Sequence, residues 1–380
     1  MKVQEINTVK GKRYILLDDN YEQVQAVNGY LKYLDVFQYS PNTLKIYAYS
    51  LKSFYVYMGL KGFDPLTFTA DKSIRKIDVL SNYILWLQYP ESALGACSNS
   101  SNTPRVSNRT VNNMMVAVYG FYQYLSENDI APSLNIYKGS QNRKTHDSSF
   151  LSEMHRHDTA GDKGLLKMPV IHEDIKFITR EEFTALFQAC NNRRDKILVA
   201  ILFEDGIRIG EALGAHIQDF NIEDNVFNIV PRDDNANGAR VKNCAAGSVY
   251  LPPYLSDLIT DYISEELINM DTDYFFVNLY DGHIGEPMTY SNVMNLFNRL
   301  SKKTGIHVHP HMERHGFAHE KHKDGMPMSD IQSILRHKNP TTTGIYTKMD
   351  NEEKVDALKG FMSNRDERME KTINAKKNKN

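Results

Sequence analysis

The sequence has little of what would place it in a membrane or outside the cell. It contains three cysteines, Cys97, Cys190 and Cys244, which are scattered, odd in number and without metal-ligand spacing. Neither a disulfide framework nor a zinc finger is therefore predicted. No apolar run approaches the roughly 20 residues that a membrane helix needs, and the N-terminal residues lack the apolar stretch of a signal peptide. These absences predict a protein of a reducing cytoplasm.

An excess of positive charge is absent as well. The formal net charge is −2, whereas a nucleic-acid-binding domain usually carries a basic surplus. The overall charge therefore counts against nucleic-acid binding, although it says little about how charge is distributed over the surface. Hydrophobic residues make up 41% and charged residues 24% of the 380 residues, a globular composition with enough length for two domains.

The first part of the chain predicts a small helical domain. Residues 1–19 contain two short strands, and residues 20–137 contain three segments in which apolar residues recur at helical spacing. These segments are residues 40–58, 76–89 and 107–126. Ser40 or Asn42 is suited to cap the first of them. Four basic residues lie beside the apolar stripes, either as solvated surface charges or as DNA phosphate contacts: Lys45, Lys52, Arg105 and Arg109.

The second part predicts a mixed domain after a break in pattern. Residues 138–176 are polar and predict a linker or insertion, residues 177–362 a second domain, and residues 363–380 a polar tail. Thr179 with Glu182 predicts a capping box. Strands are predicted at 226–230, 248–251 and 274–278 between helices. The fold class is therefore α+β and mostly helical, with a mixed α/β second domain built around a small antiparallel sheet.

Residues 309–346 concentrate the side chains that are suited to chemistry on a phosphate diester. His311 and Arg314 are three residues apart and share one face of a helix. Ser329 with Gln332 predicts a capping box and a helix from near Met328 to about Arg336. An arginine fork binds two anionic oxygens, and a tyrosine phenol, here Tyr346, is a possible nucleophile. In isolation, Tyr346 would be interpreted as a packed core residue.

Three segments in this region resemble the C-terminal signature of the tyrosine recombinases. They are H-x-x-R-H at 311–315, L-x-H-K-N-P-T-T-T at 335–343 and I-Y-T at 345–347, with nine residues from His337 to Tyr346. The segment GIRIGEAL at 206–213 resembles the first catalytic box of the same family. The resemblance implies a helical core-binding domain followed by a catalytic domain, and it extends closely over residues 177–348.

The resemblance also implies roles for individual residues. Tyr346 is the nucleophile, Arg208 and Arg314 hold the non-bridging oxygens, and Glu211 orients Arg208, although a purely structural Arg208–Glu211 pair is an alternative. His311 and His337 bind the scissile phosphate, and His311 is also available to accept the phenolic proton. Lys242 matches the residue that protonates the leaving oxygen, with Arg240 as the alternative, because both precede the strand end at 249–252.

Two residues depart from the family pattern, and one rival interpretation exists. Arg336 stands where the family usually has glycine, so the local turn is expected to need room, and Glu313 stands where leucine usually precedes the arginine. His311, His315 and His319 have a spacing that would let them hold a metal ion. However, HExxH is absent and no carboxylate stands at a convincing ligand spacing.

The implied function is site-specific cleavage and rejoining of double-stranded DNA through a 3′-phosphotyrosyl link. It needs no cofactor and no ATP, and it serves transposition or integration of a mobile element. Among these roles, a transposase is preferred. It is expected to act as a homo-oligomer that forms a tetramer in synapsis, with possible accessory transposition proteins. The expected location is the nucleoid of a bacterial cytoplasm. The alternatives are a type IB topoisomerase-like nicking-closing enzyme and a non-catalytic DNA-binding protein.

Overall fold

The computed structural model describes residues 1–8, 11–90, 103–134, 166–170, 176–232, 234–242 and 245–336. The chain divides into two compact units, Met1–His172 and Glu173–Asn380. His337, Tyr346 and the predicted tail lie outside the described residues, as does most of the predicted linker. The described stretch 166–170 belongs to the first unit, where the Asn112 side chain hydrogen-bonds both backbone groups of Met168, at 2.8 and 3.0 Å.

The first unit combines one hairpin with a helical core. Strands β1 (Lys2–Thr8) and β2 (Gly11–Leu17) pair antiparallel, with Lys2 opposite Leu17, which confirms the predicted strands. Four helices follow in the described residues: α1 (Gln25–Val36), α2 (Pro41–Leu60), α3 (Lys76–Gln88) and α4 (Asn108–Glu127). The last three coincide with the predicted helical segments to within two residues.

Helices α2 and α4 of the first unit begin where local chemistry predicts. The Ser40 hydroxyl accepts a hydrogen bond from the Thr43 backbone N–H at 3.2 Å, and Pro41 occupies the first turn of α2. Ser107 caps α4 in the same way, through the Thr110 N–H at 3.2 Å. The apolar stripes meet in an aromatic core, in which the Phe54 ring packs edge-on against Tyr83 and Tyr122.

The second unit combines a short sheet with several helices. The sheet is antiparallel in the order β3 (Phe220–Asn221), β4 (Val226–Ile229) and β5 (Gly247–Tyr250). The helices are α5 (Arg180–Ala189), α6 (Arg193–Glu204), α7 (Ile209–Leu213), α8 (Pro253–Tyr262, continued by a π turn at Ile263–Leu267), α9 (Tyr290–Thr304), α10 (Pro310–Lys323) and α11 (Met328–Ile334). The mostly helical fold class with small antiparallel sheets is thus confirmed.

Helix α6 forms the centre of the second unit. Each residue from Ile197 to Phe203 is fully buried, which is the pattern of a helix that is packed on all sides. Helix α10 approaches α6 closely, because a Cβ at Gly316 would lie 2.8 Å from the Phe203 ring. Phe203 also stacks on Phe183 of α5 at a centroid distance of 4.4 Å. The turn that follows α6 therefore starts from a rigid support.

The capping box predicted at Thr179 is confirmed, whereas the capping box predicted at Ser329 and the strand predicted at 274–278 are wrong. Thr179 and Glu182 form the predicted capping box at α5. Helix α11 begins after Pro327, so Ser329 lies inside the helix, and its hydroxyl donates to Asp330 at 3.1 Å instead of capping. Residues 274–278 do not form a strand, since only the isolated bridges at Tyr274 and Val277 are present. In the described part of the chain, no helix has the length and apolar character that a membrane crossing requires.

Candidate active site

The site begins at the turn after α6, where Gly206 has a φ of +59°. This conformation is one that glycine adopts readily and other residues rarely do. A Cβ at Gly206 would lie 2.5 Å from the Phe317 ring and 2.9 Å from the Leu335 side chain. The turn thus lies directly against α10 and α11, and it places Arg208 at the start of α7.

Arg208 is held by the buried carboxylate of Glu211, one helical turn further on. The carboxylate accepts hydrogen bonds from the Arg208 backbone N–H and from Nη1, both at 2.8 Å. Burial alone would raise the pKa of Glu211, but the Arg336 guanidinium and the hydrogen bonds from Arg208 lower it overall. Glu211 is therefore ionised, and the pairing expected from the i+3 spacing is present.

Arg314 approaches from α10 and is only 1% exposed. Its guanidinium donates to the backbone carbonyls of Gly206 and Leu335. Nη2 of Arg208 donates to the next carbonyl, that of Arg336, at 3.2 Å. Both predicted arginines therefore meet at the C-terminal end of α11, where carbonyl oxygens carry a partial negative charge. This end of the helix immediately precedes His337 in the sequence.

His311 lies within electrostatic reach of both arginines and of two further groups, His309 and Lys242. His311 is exposed by its surface area, yet partial burial of the ring lowers its pKa, and the charges of Arg314, His309, Arg208 and Lys242 lower it further. Burial and each of these charges lower the pKa of His311, so none of these causes opposes the shift. The imidazole is therefore neutral at pH 7 and able to accept a proton.

Lys242 lies in the connection between β4 and β5, and its side chain is exposed. This connection runs close to α7, since a Cβ at Gly210 would lie 2.8 Å from the Arg240 carbonyl oxygen. Gly210 thus allows the Arg240–Lys242 segment to approach the helix that carries Arg208. Arg240 is half-buried, and the structure leaves both residues near the site.

Arg336 occupies the position where a glycine is expected, and the reason is visible in its backbone. Its φ is +50°, in the left-handed region that glycine tolerates best. Its guanidinium binds Glu211 at 2.6 Å, so Glu211 is shared between two arginines. The expected need for room is met by Gly247 at the start of β5, where a Cβ would lie 3.0 Å from Arg336 Cδ. Sequence reasoning missed the ion pair, although the departure from glycine marked the position.

The histidines of α10 make ring contacts with different partners. The rings of His311 and His315 meet edge-on at a centroid distance of 4.6 Å, and His319 stacks on Phe177 at 3.9 Å. Within the part of the chain that the structure describes, no group of three or more His, Cys, Asp or Glu side chains is arranged to hold a metal ion. The structure therefore does not favour the alternative of a metal site on these three residues.

The remaining candidates lie elsewhere or outside the described residues. His337 and Tyr346 belong to the latter group. In the first unit, Lys45, Arg105 and Arg109 are exposed and Lys52 is half-buried. The ammonium group of Lys45 lies 5.9 Å from the centre of the Tyr14 ring. All four are placed on or beside α2, α3 and α4, and their contact with phosphate stays a prediction.

Glu313 is fully buried. It precedes Arg314 in the sequence, and adjacent side chains on a helix point in different directions. Neither of its carboxylate oxygens has a hydrogen-bond partner among the described residues. Burial and, to a smaller extent, Glu182 raise its pKa from an ordinary 4.5 to about 8. The side chain is therefore neutral at pH 7, and its protonation is coupled to folding.

Between pH 4.5 and 8 the folded state holds a proton on Glu313 that the unfolded state releases. The free energy of unfolding should therefore fall as pH rises through this window, by roughly 3 kcal/mol between pH 4.5 and 7. Glu313→Gln should remove this dependence, and the exposed Glu223→Gln should not. Denaturant unfolding of the three proteins at pH 5 and 7 measures the difference. An unchanged pH dependence in Glu313→Gln would show that the carboxyl ionises as easily in the folded state.

Comparisons with known proteins agree on one class. Residues 176–353 match the phage integrase family. Transposase A from transposon Tn554 of Staphylococcus aureus is 33% identical over 354 residues, covering 90% of this chain and 92% of the relative. The chain belongs to the phage integrase family, the tyrosine recombinases, and the family resemblance of the sequence is confirmed.

Solved structures agree with the fold. The XerH site-specific recombinase bound to its palindromic difH substrate superposes with a TM-score of 0.55 at 18% identity, covering 84% of this chain and 79% of that one. A lambda integrase dimer bound to a core site gives 0.54 at 12% identity, with 85% and 94% covered. Both likenesses show the fold alone. The enzyme class, that of the DNA recombinases, follows from the family match and from the likeness to Transposase A.

Proposed function

We propose that this chain is the strand-transfer enzyme of a mobile element, and that it cuts and rejoins double-stranded DNA through Tyr346. One observation carries the assignment of the site. Arg208 and Arg314, far apart in sequence, meet at the end of α11 just before His337. The likeness to Transposase A over 90% of the chain supports the role in a mobile element.

In the proposed reaction, the Tyr346 phenolic oxygen attacks the scissile phosphorus and the bond to the 5′-oxygen breaks. His311 accepts the phenolic proton, and Lys242 gives a proton to the leaving 5′-oxygen. Arg208 and Arg314 hold the non-bridging oxygens, whose charge grows in the transition state, and His337 adds a hydrogen bond. The 5′-hydroxyl of a partner strand then reverses the step. One phosphoester replaces another, so no energy source is consumed.

The two units take separate parts in this proposal. Residues 20–137 form the core-binding domain, in which Lys45, Lys52, Arg105 and Arg109 contact phosphates, and residues 177–362 form the catalytic domain. Residues 138–176, a linker or an insertion, lie between them in the sequence. Four copies act on two duplexes in synapsis, with accessory transposition proteins where the element supplies them, at the nucleoid of a bacterial cytoplasm.

The direct test is sequencing of the DNA that becomes covalently attached to the protein in cells. The proposal expects a defined junction at the ends of a mobile element, with the protein on the 3′-phosphate. Attachment without a preferred junction, together with relaxation of supercoiled plasmids that lack element ends, would assign a topoisomerase-like activity. DNA that is bound without any covalent link would assign a binding protein.

The role of Lys242 has its own test, because Arg240 lies in the same connection. A substrate with sulfur in place of the bridging 5′-oxygen has a leaving group that departs without a proton. Lys242→Ala should therefore cleave normal DNA poorly and regain cleavage on the sulfur substrate. Arg240→Ala is the matched control and should show no selective rescue. Rescue of Arg240→Ala alone would transfer the role of proton donor to Arg240.

A further inference from the structure

The carboxylate of Glu211 is shared by two guanidinium groups. It accepts from Arg208 Nη1 at 2.8 Å and from Arg336 Nη2 at 2.6 Å. The side chain of Glu211 is completely buried, while those of Arg208 and Arg336 are 19% and 10% exposed. One negative charge therefore faces two positive charges, and one positive charge is left over at the site. If residue 336 were glycine, the charges of Glu211 and Arg208 would cancel each other, and this excess positive charge would be lost.

Arg336 holds an unfavourable position that its packing must offset. Its φ of +50° is one that L side chains rarely adopt. Its side chain is nine-tenths buried, and its Nε has no hydrogen-bond partner among the described residues. Burial of a charged group is costly unless it is paired, and Glu211 supplies the pair. The backbone of the same residue meets Arg208 directly, because its carbonyl accepts from Arg208 Nη2 at 3.2 Å.

We propose that Arg336 is a positioning residue for DNA strand cleavage. By binding Glu211, it fixes the carboxylate that orients Arg208 and keeps the charge of Arg208 available to the scissile phosphate. The inference rests on the proposed function, in which Arg208 holds a non-bridging oxygen. Arg336 acts through Glu211 and not by contact with DNA, which makes the two residues energetically dependent on each other.

A double-mutant cycle tests this dependence. The rate of covalent adduct formation on a nicked DNA substrate is measured for wild type, Arg336→Gln, Glu211→Gln and the double variant. Arg336→Gln alone should slow cleavage by about 10- to 30-fold, as expected when one charge interaction is lost near the reacting phosphate. In the Glu211→Gln background the same change should cost less than about threefold. Multiplicative losses would overturn the proposal, since they would mean that Arg336 acts independently of Glu211.

Arg336→Gly separates positioning from support of the fold. Glycine relieves the left-handed backbone, so the melting temperature should stay the same or rise while cleavage slows as in Arg336→Gln. Arg336→Lys keeps the charge and should recover part of the rate. If the cleavage rate falls only in proportion to a decrease in melting temperature, Arg336 has a structural role instead. Arg193→Gln is the charge-matched control, because Arg193 pairs with Glu265 and Glu266 and has no bond to Arg208 or Glu211 among the described contacts.

Gly247 offers a second route to the same interaction. A Cβ there would lie 3.0 Å from Arg336 Cδ, so Gly247→Ala should displace the Arg336 side chain and slow cleavage. In the Arg336→Gly background the same substitution should have no effect. Equal losses in both backgrounds would show that alanine disturbs strand β5 itself and would count against the proposal.

A measurement without DNA distinguishes failure of this inference from failure of the proposed function. Carboxyl-labelled glutamate allows Glu211 to be titrated by NMR in wild type and in Arg336→Gly. The pKa of Glu211 should rise when Arg336 is removed, whether or not the protein cleaves DNA. An unchanged Glu211 titration would overturn the inference and leave the recombinase chemistry intact. Absence of any adduct with the wild-type protein would instead reject the proposed function.

Discussion

Replacement of Tyr346 by phenylalanine should abolish the covalent protein–DNA adduct and leave DNA binding in place. Phenylalanine keeps the ring and removes only the hydroxyl, so a residue that served packing alone would tolerate the change. A nucleophile would not, because no phosphotyrosyl bond can form without the phenolic oxygen. Binding should persist, since affinity for DNA comes from many phosphate contacts.

The measurement is trapping of the adduct on a nicked DNA substrate, followed by a denaturing gel, with a native gel to score binding. Tyr290→Phe and Tyr280→Phe are matched controls, because both tyrosines are exposed and precede Tyr346 in the chain. Both controls should form the adduct at the wild-type rate. If Tyr346→Phe still forms the adduct and one of the control variants does not, the nucleophile is the tyrosine replaced in that control.

Arg314→Lys should slow cleavage by about 10²- to 10³-fold, equivalent to roughly 3–4 kcal/mol of transition-state stabilisation. Lysine keeps the charge and the aliphatic stem but loses the planar fork that binds two acceptors at once. In this protein the fork bridges the carbonyls of Gly206 and Leu335, and a single ammonium group cannot reproduce that geometry. The rate is measured as single-turnover adduct formation with saturating DNA.

Arg193→Lys is the control, since Arg193 is a partly exposed arginine of the same unit with glutamate partners. It should cleave at the wild-type rate. A competing interpretation is that Arg314 only supports the fold. In that case the fraction of active protein, counted by the size of the adduct burst, should fall, while the rate per active molecule should not change.

Local chemistry made much of the fold predictable from the sequence. The cap at Ser40, the capping box at Thr179 and the apolar stripes of the first unit all depend on residues within a few positions of one another. The ion pair of Arg208 with Glu211 is equally local, at a spacing of three residues. Such features are set by helical geometry, which a sequence shows directly. The roles of these site residues in catalysis remain predictions.

What the sequence could not show depends on contacts between distant segments. The Glu211–Arg336 pair joins residues 125 positions apart, and the space for Arg336 comes from Gly247 on a strand. The burial of Glu313 likewise depends on how α10 packs in the second unit. Residues 274–278 have the composition of a strand, but they make only isolated bridges, with His216 and Pro287 as partners. Tertiary packing decided these cases and overrode local preference.

The Gly206 turn limits how this enzyme can evolve or be engineered. Any side chain at position 206 would collide with the Phe317 ring and with Leu335, and the carbonyl of the same residue holds Arg314. A substitution there would need simultaneous smaller residues at 317 and 335, which random single-site mutagenesis does not supply. Libraries that seek altered DNA specificity should therefore keep 206, 317 and 335 constant.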